Sequence, residues 1–389
     1  MDIQFEPEEQ RFRELAREWL SSNVPGTPRP LDGRDMLSFD VSWQQRQHEA
    51  GWAGISWPEE YGGRGLTTLQ QLIWYEEYAR ADAPFIGANF VGVNHAGPTL
   101  IALGSSAQRE EHLEQILRGA AIWCQGFSEP GAGSDLASLR TRGEVDGEHL
   151  VVSGQKIWTS FAHMAQYQEL LVRTGPSDSR HKGLTWVICD MHAPGVEIRP
   201  IREMSGEQHF CEVFYDKVRL PLSSVVGEIN AGWQVAMATL AFERGTAFLA
   251  DQVGLARQVD SLIAFAQETT DHAGRPLIGD DEVRRALAML RAEVTALRSM
   301  AYAVVSQAAR SGMPGAEGSL VKLYVSQLSQ TLHKLTVKLM GSQSLLFGYG
   351  ATGPVCEYLR SYAASIAGGT SAIQREIIAD RMLVLPRSR

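Results

Sequence analysis

Three short strings concentrate the chemistry of this sequence. The first, Phe127-Ser-Glu-Pro-Gly-Ala-Gly-Ser-Asp135, ends the first predicted β run. Its glycines let the backbone approach a ligand closely, successive N–H groups can form an anion-binding concavity, and Ser128 and Ser134 add hydroxyls. Such a loop suits a phosphate or pyrophosphate, although it lacks the lysine of a nucleotide P-loop and a surface turn can have the same composition. The second, Gly154-Gln-Lys-Ile-Trp-Thr-Ser160, ends another β run. Trp158 offers a flat apolar face, with Thr159 and Ser160 beside it, an arrangement able to pack on an aromatic ring and hydrogen-bond its edge; taken alone, a core tryptophan fits as well. The third, Gly368-Gly-Thr-Ser-Ala-Ile-Gln-Arg-Glu376, sets two glycines before a Thr/Ser helix cap and so exposes backbone N–H groups.

The elements that must hold these strings follow from the rest of the chain. It has 389 residues, 44% hydrophobic and 21% charged, with 36 Lys+Arg against 45 Asp+Glu for a net charge of -9. At about 100–200 residues per domain this allows two or three domains with sizeable cores, and excludes disorder. The acidic balance provides no general footprint for nucleic acid or an anionic membrane, so a polyanionic ligand requires a local site. Cys124, Cys189, Cys211 and Cys356 are widely spaced and read as reduced, buried residues. The ten histidines show no ligand spacing, and His95, His163 and His209 read as core or surface residues, so no metal is expected. The acidic N-terminus does not resemble an export signal. The most apolar helical stretch, Ala286 to Ala309, contains Arg291, Glu293 and Arg298 and cannot provide the roughly 20 apolar residues of a membrane span, so a cytoplasmic protein is expected.

Residues 1–120 read as an α-helical domain. Pro7 stands at a helix N1 position, Phe12, Leu15, Ala16, Trp19 and Leu20 are expected on one face, and further helices are predicted over 42–50, 68–80 and 108–117. Residues 121–227 alternate short runs of Val, Ile, Leu, Trp and Tyr with turn residues. Asp146-Gly147 and Ser153-Gly154 are each expected to be tight turns of a compact antiparallel β domain. Residues 228–389 are helical again, with segments expected over 233–267, 280–311, 318–339, 354–365 and 371–382. The fold class is therefore α+β, with an N-terminal helical domain, a central antiparallel β domain and a C-terminal helical bundle.

SEPGAGSD, GQKIWTS and GGTSAIQRE in that order, together with the EEQ-containing first helix, WPEEYGG and Gly-Trp-Gln-Val-Ala-Met, resemble the acyl-CoA dehydrogenase family over nearly the whole chain. These flavoenzymes desaturate acyl-CoA thioesters between Cα and Cβ. The resemblance implies an FAD cofactor contacted by Gln125, Phe127, Ser128, Gly133, Ser134, Trp158, Thr159, Ser160 and Thr370. It further implies an acyl-CoA site lined by Ser134, Ala241, Arg244 and Gly369, an electron-transferring flavoprotein as electron acceptor, and a homo-oligomer (dimer or tetramer) or a heteromer.

In most of the family the residue before Gly-Thr-Ser is the glutamate that removes the α proton; here it is Gly368. Isovaleryl-CoA dehydrogenase and related enzymes carry the base on another helix, and Glu243-Arg244 resembles their Glu-Arg pair. Glu243 follows Leu240, Ala241 and Phe242, an apolar context that favours a raised pKa, and Arg244 stands about 100° away around the helix. The resemblance thus makes Glu243 the base, while the Gly368 N–H retains the family's donor to the thioester carbonyl. Thr269–Ala273 lacks the family's arginine and aromatic toward a neighbouring subunit, and Lys338 and Ser342 replace its usual glutamine and glycine. Two further readings retain the fold: other flavin chemistry, as in desulfinases, nitroalkane oxidases and monooxygenases, or a non-catalytic partner subunit of a heteromeric dehydrogenase.

Overall fold

The computed structural model describes residues 5–31, 33–243, 251–311, 315–345 and 353–386; the side chains of 243 and 308–311 lie outside that description. Helices Pro7–Asn23 (α1), Gly33–Glu49 (α2), Thr68–Arg80 (α3), Gly97–Leu103 (α4) and Ser106–Leu117 (α5) precede the sheet. Its strands are Trp123–Gly126 (β1), Arg142–Asp146 (β2), His149–Ser160 (β3), Tyr167–Arg173 (β4), Leu184–Asp190 (β5), Val196–Ile201 (β6) and Phe210–Pro221 (β7). Helices Gly232–Glu243 (α6), Asp251–Glu268 (α7), Asp281–Ser311 (α8), Gly318–Met340 (α9), Pro354–Ser361 (α10) and Ser371–Arg381 (α11) follow. The order α, β, α is the one expected. No helix among the described residues is long and apolar enough to cross a membrane.

These elements pack as two compact units. One comprises 1–24, 66–83 and 244–389; the other comprises 25–65 and 84–243. In the first, α1 and α3 join the C-terminal helices because charges from both meet: Arg13 bonds Glu76 at 2.9 Å and Glu77 at 2.7 Å, and Tyr302 of α8 donates to Glu76 at 2.8 Å. This corrects the expected face of α1. Ala16 and Leu20 are buried, but Leu15 is 48% exposed and Arg13 is buried in its place. Hydrophobic periodicity cannot register a paired arginine that points inward.

In the second unit, α2 begins nine residues before the expected Ser42. Asp40 interrupts the apolar pattern, yet it is fully buried, held by Arg29 at 2.6 and 2.7 Å and by the Ala88 N–H at 2.9 Å. The sheet runs β1-β4-β2-β3-β7-β6 with β5 also on β4, and it is mixed rather than wholly antiparallel, since β1 and β4 pair in parallel. Asp146-Gly147 turns between β2 and β3 as expected, with Gly147 at φ +58°.

Ser153-Gly154 is not a turn. It lies inside β3 at a break in register against β7, with Gly154 at φ +149°, where a Cβ would come 2.7 Å from the Thr141 Cα. A glycine inside a strand marks a bulge or a close backbone approach as readily as a chain reversal. Gly154→Ala is therefore expected to lower stability by roughly 2 kcal/mol. Gly147→Ala, which meets open space, should cost no more than about 1–2 kcal/mol from its left-handed φ; urea midpoints of the two variants check the difference.

Two apolar clusters fill this unit. Trp57, Trp123, Phe127, Leu171 and Trp186 are among the residues of one; Cys124, Val152, Leu170, Cys189, Cys211 and Val213 are among those of the other. All four cysteines are free and buried, as expected, and burial pushes the Cys189 thiol up to about 12, away from reactive thiolate character.

Candidate functional site

The first two strings meet in the second unit through backbone and side chain. The Ile157 N–H donates to the Ser128 carbonyl at 3.0 Å, and the Lys156 Nζ donates to the Phe127 carbonyl at 3.0 Å. Lys156 also pairs with Glu129 at 2.8 Å, and the Glu129 carboxylate accepts from the N–H groups of Arg140 at 2.6 Å and Thr141 at 2.8 Å. Glu129 and Ala132 exchange backbone bonds of 2.9 and 3.0 Å, making a tight turn of EPGA. The glycine-rich loop is thereby fastened at both ends to β3.

A second register break between Lys156 and Thr159 re-aims the side chains that follow. Trp158 takes φ +62° and is 57% exposed, with its ring edge-on to Phe210 at 6.1 Å. A left-handed bulky residue is strained by about 1–3 kcal/mol, and such strain tends to persist at functional positions. Ser160 is half-buried, whereas Thr159 is fully buried and its Oγ1 has no hydrogen-bond partner among the described residues. Ser134 and Gly133 are exposed on the loop. A Cβ at Gly131 or Gly133 would meet nothing within 4 Å, and neither has a positive φ. No protein contact therefore requires glycine there; a ligand lying against the backbone would.

Gln125 and Phe127 are turned inward. Gln125 on β1 donates to Glu169 on β4 at 2.8 Å and lies 3.3 Å from His95 Nδ1, and that histidine sits on a π turn at Gly92–Ala96. The Trp57 indole donates to the Val93 carbonyl of that turn at 2.9 Å. Phe127 is 3% exposed within the apolar core. His95 is thus a core histidine, as expected.

In the other unit, Gly368 and Gly369 both adopt positive φ, +61° and +89°. Gln374 donates to the carbonyls of both at 3.0 and 3.2 Å, and Lys322 of α9 donates to that of Gly369 at 2.7 Å. Thr370 caps α11, accepting from the Ile373 N–H at 3.3 Å. The side chain of Glu243 and all of Arg244 lie outside the described residues; Ala241, near the end of α6, is exposed. In the segment from Thr269 onward, Asp271 is held by its own turn, pairing with Arg275 at 2.9 Å.

Glu203, Glu207 and His209 bring possible ligand atoms within 4.8 Å of one another. The three side chains lie in local ion-pair range, with the His209 ring Nδ1 3.7 Å from Glu203 and 3.8 Å from Glu207, while the His209 backbone N–H donates to Glu203 at 3.0 Å and the Ser205 hydroxyl to Glu207 at 3.1 Å.

The acyl-CoA dehydrogenase family models for the N-terminal, middle and C-terminal domains match residues 6–120, 124–218 and 230–383. The chain belongs to the acyl-CoA dehydrogenase family. As an acyl-CoA dehydrogenase it is an oxidoreductase, with the family's arrangement of helices, central β domain and helices. It is 41% identical to "Acyl-CoA dehydrogenase IpdE1" of Mycobacterium tuberculosis (strain ATCC 25618 / H37Rv), over 97% of this chain and 98% of that protein. The structure is similar to that of a "Tcur3481-Tcur3483 steroid ACAD", with a TM-score of 0.87 and 29% identity over 100% of both chains. It is also similar to the ChsE4-ChsE5 complex from Mycobacterium tuberculosis, with a TM-score of 0.82 and 32% identity over 100% of both chains.

The residues present in this acyl-CoA dehydrogenase fit a flavin. The exposed Trp158 ring, the adjacent Ser160 hydroxyl and the open backbone at Gly131 and Gly133 provide an aromatic platform, a donor and an anion-approachable loop within one unit. Sequence reasoning overlooked Lys156 and Glu129 as individuals. Alternation from Leu150 through Val152 and Gly154 places Lys156 on the core-facing side of β3, and a lysine at such a position requires a buried partner.

Proposed function

We propose that this chain binds FAD and desaturates an acyl-CoA thioester between Cα and Cβ. The observation that carries the reading is the fastening of the SEPGAGSD loop to the GQKIWTS bulge, which leaves Trp158 outward beside an open glycine backbone. Gln125, Phe127, Ser128, Gly133, Ser134, Trp158, Thr159 and Ser160 are assigned to the cofactor. Gln125, Phe127 and Thr159 contribute backbone and support, since their side chains turn inward, while Trp158 and Ser160 contribute a ring and a hydroxyl. Thr370, at the cap of α11, is assigned to the cofactor's far end.

Bound FAD would supply the acceptor for the β hydride. The chain's own residues do the rest. Glu243 holds the α proton on its carboxylate, and the Gly368 N–H donates to the thioester oxygen as negative charge develops there. Ser134, Ala241, Arg244 and Gly369 are assigned to the acyl-CoA. The reducing equivalents are proposed to pass to an electron-transferring flavoprotein. Similarity to the steroid ACAD points to a ring-bearing acyl group as the substrate class. Both similar structures carry two protein names, which favours an assembly with a second, different chain.

Purified chain, alone or with such a partner, is expected to be yellow and to lose its flavin absorbance when mixed anaerobically with a competent acyl-CoA. The fastest bleaching in a series of short, long, branched and cyclic acyl-CoAs is expected with the cyclic ones. A colourless chain would favour the partner-subunit reading, and a yellow chain that no acyl-CoA bleaches would favour other flavin chemistry.

A further inference from the structure

We propose that Lys156 and Glu129 are positioning residues of the cofactor site, whose buried ion pair closes residues 127–141 on themselves and holds the glycine-rich loop ready for FAD. The proposal rests on the flavin reading above. Lys156 is fully buried, and its two bonds both go to this segment, to the Phe127 carbonyl and the Glu129 carboxylate. Glu129 in turn takes the N–H groups of Arg140 and Thr141, eleven and twelve residues further on. One carboxylate thus joins the start of the loop, its end and the strand that carries Trp158.

Stability alone is a poor reason for such a pair. Two apolar side chains of similar volume commonly stabilise a core as well or better, because both charges must be desolvated. What the pair adds is a single conformation, since the three donors converging on Glu129 are satisfied together only when the loop is closed. Closure leaves Gly131 and Gly133 facing open space rather than collapsed onto the protein.

The charged groups facing Lys156 are Glu129 in the loop and Arg173 on β4. Burial pushes Lys156 down to about 8, Glu129 opposes that shift and Arg173 adds to it. The same lysine in an unfolded chain keeps its proton to about pH 10.4. Between these values the unfolded state binds more protons, so this residue's contribution to folding stability rises with pH. The clasp weakens over the same window, because a neutral amine no longer pairs with the carboxylate. Folding stability and FAD affinity from this residue should therefore move in opposite directions, which a merely structural lysine would not produce.

The test is FAD binding to the full-length chain in its native assembly, stripped of flavin. Fluorescence titration would run from about pH 7 to about pH 10, beside urea midpoints, for the parent, Lys156→Met and Glu129→Gln. The parent is expected to lose FAD affinity about tenfold or more across the window. Lys156→Met should bind about tenfold more weakly at neutral pH and lack that decline. Glu129→Gln, nearly isosteric and decisive if the methionine variant does not fold, removes the carboxylate and should likewise bind about tenfold more weakly at neutral pH with no such decline. Equal affinities and pH profiles in all three would overturn the clasp, as would losses of affinity that merely track lost folding stability. A parent that takes up no FAD overturns the flavin reading itself, and the clasp with it.

Discussion

Glu243→Gln is expected to retain FAD and to lose acyl-CoA-dependent bleaching, slowing it by roughly a hundredfold to ten-thousandfold, the usual contribution of a positioned general base. Gly368, at the position the resemblance assigns to the family's usual base, has no side chain to accept a proton. It occupies φ +61°, where a side chain is strained, and its carbonyl is tied to Gln374, so the segment is built as a backbone element rather than as a perch for a carboxylate. The helix bearing Glu243 is anchored in its own unit. Thr239 bonds Thr99 at 2.9 Å, and a Cβ at Gly232 would come 2.3 Å from the Trp186 backbone nitrogen, which fixes how closely α6 approaches β5. Glutamine keeps the size of glutamate and cannot take a proton. Stopped-flow absorbance of the oxidised flavin, with flavin content measured in parallel, separates loss of chemistry from loss of cofactor. Rapid bleaching by the variant would remove Glu243 from the mechanism.

Arg13→Met is expected to cost the chain roughly 3 kcal/mol of stability, because it leaves buried carboxylates without their central cation. Arg13 reaches Glu76 and Glu77 across two helices, and its guanidinium lies 4.6 Å from the Phe5 ring centroid. Glu77 keeps Arg17 at 2.9 Å and a short bond to Arg80, and Glu76 keeps Tyr302 and Gln252. The loss is therefore large without being total. The acid side provides a second check. Burial raises the Glu77 carboxyl, but Arg17, Arg13 and Arg80 outweigh it and hold the group below its usual range. A depressed carboxylate contributes stability that is complete above its unfolded pKa of about 4.3 and disappears as pH falls through the folded value. The gap between parent and variant in urea midpoint should narrow over that acid window, and a gap below about 1 kcal/mol at neutral pH would show that the neighbours suffice without Arg13.

The local pattern of the sequence determined the order of helical, β and helical segments and singled out three strings as candidates for the chemistry. Capping and periodicity marked α3 over 68–80 and set α8 and α9 within a residue of their ends; the short apolar run Leu184–Asp190 became β5, buried at all but its last residue. The strings SEPGAGSD, GQKIWTS and GGTSAIQRE point to the family through their order along one chain, since each taken alone also fits a surface turn, a core tryptophan or a helix start. Tertiary structure decided what those strings do to one another. Ser153-Gly154 has the composition of a turn, and only the close approach of Thr141 shows it to be a bulge. Leu15, expected on the inner face of α1, is exposed, while Arg13 is buried because Glu76 and Glu77 arrive from another part of the chain to pair with it. Lys156 and Glu129 are 27 residues apart and became partners through the register of β3 against its neighbours. The physical reason is common to all three cases. Propensity and periodicity are properties of neighbouring residues, whereas the partner that makes a buried charge tolerable, or a glycine necessary, is supplied by a distant segment once the chain has packed.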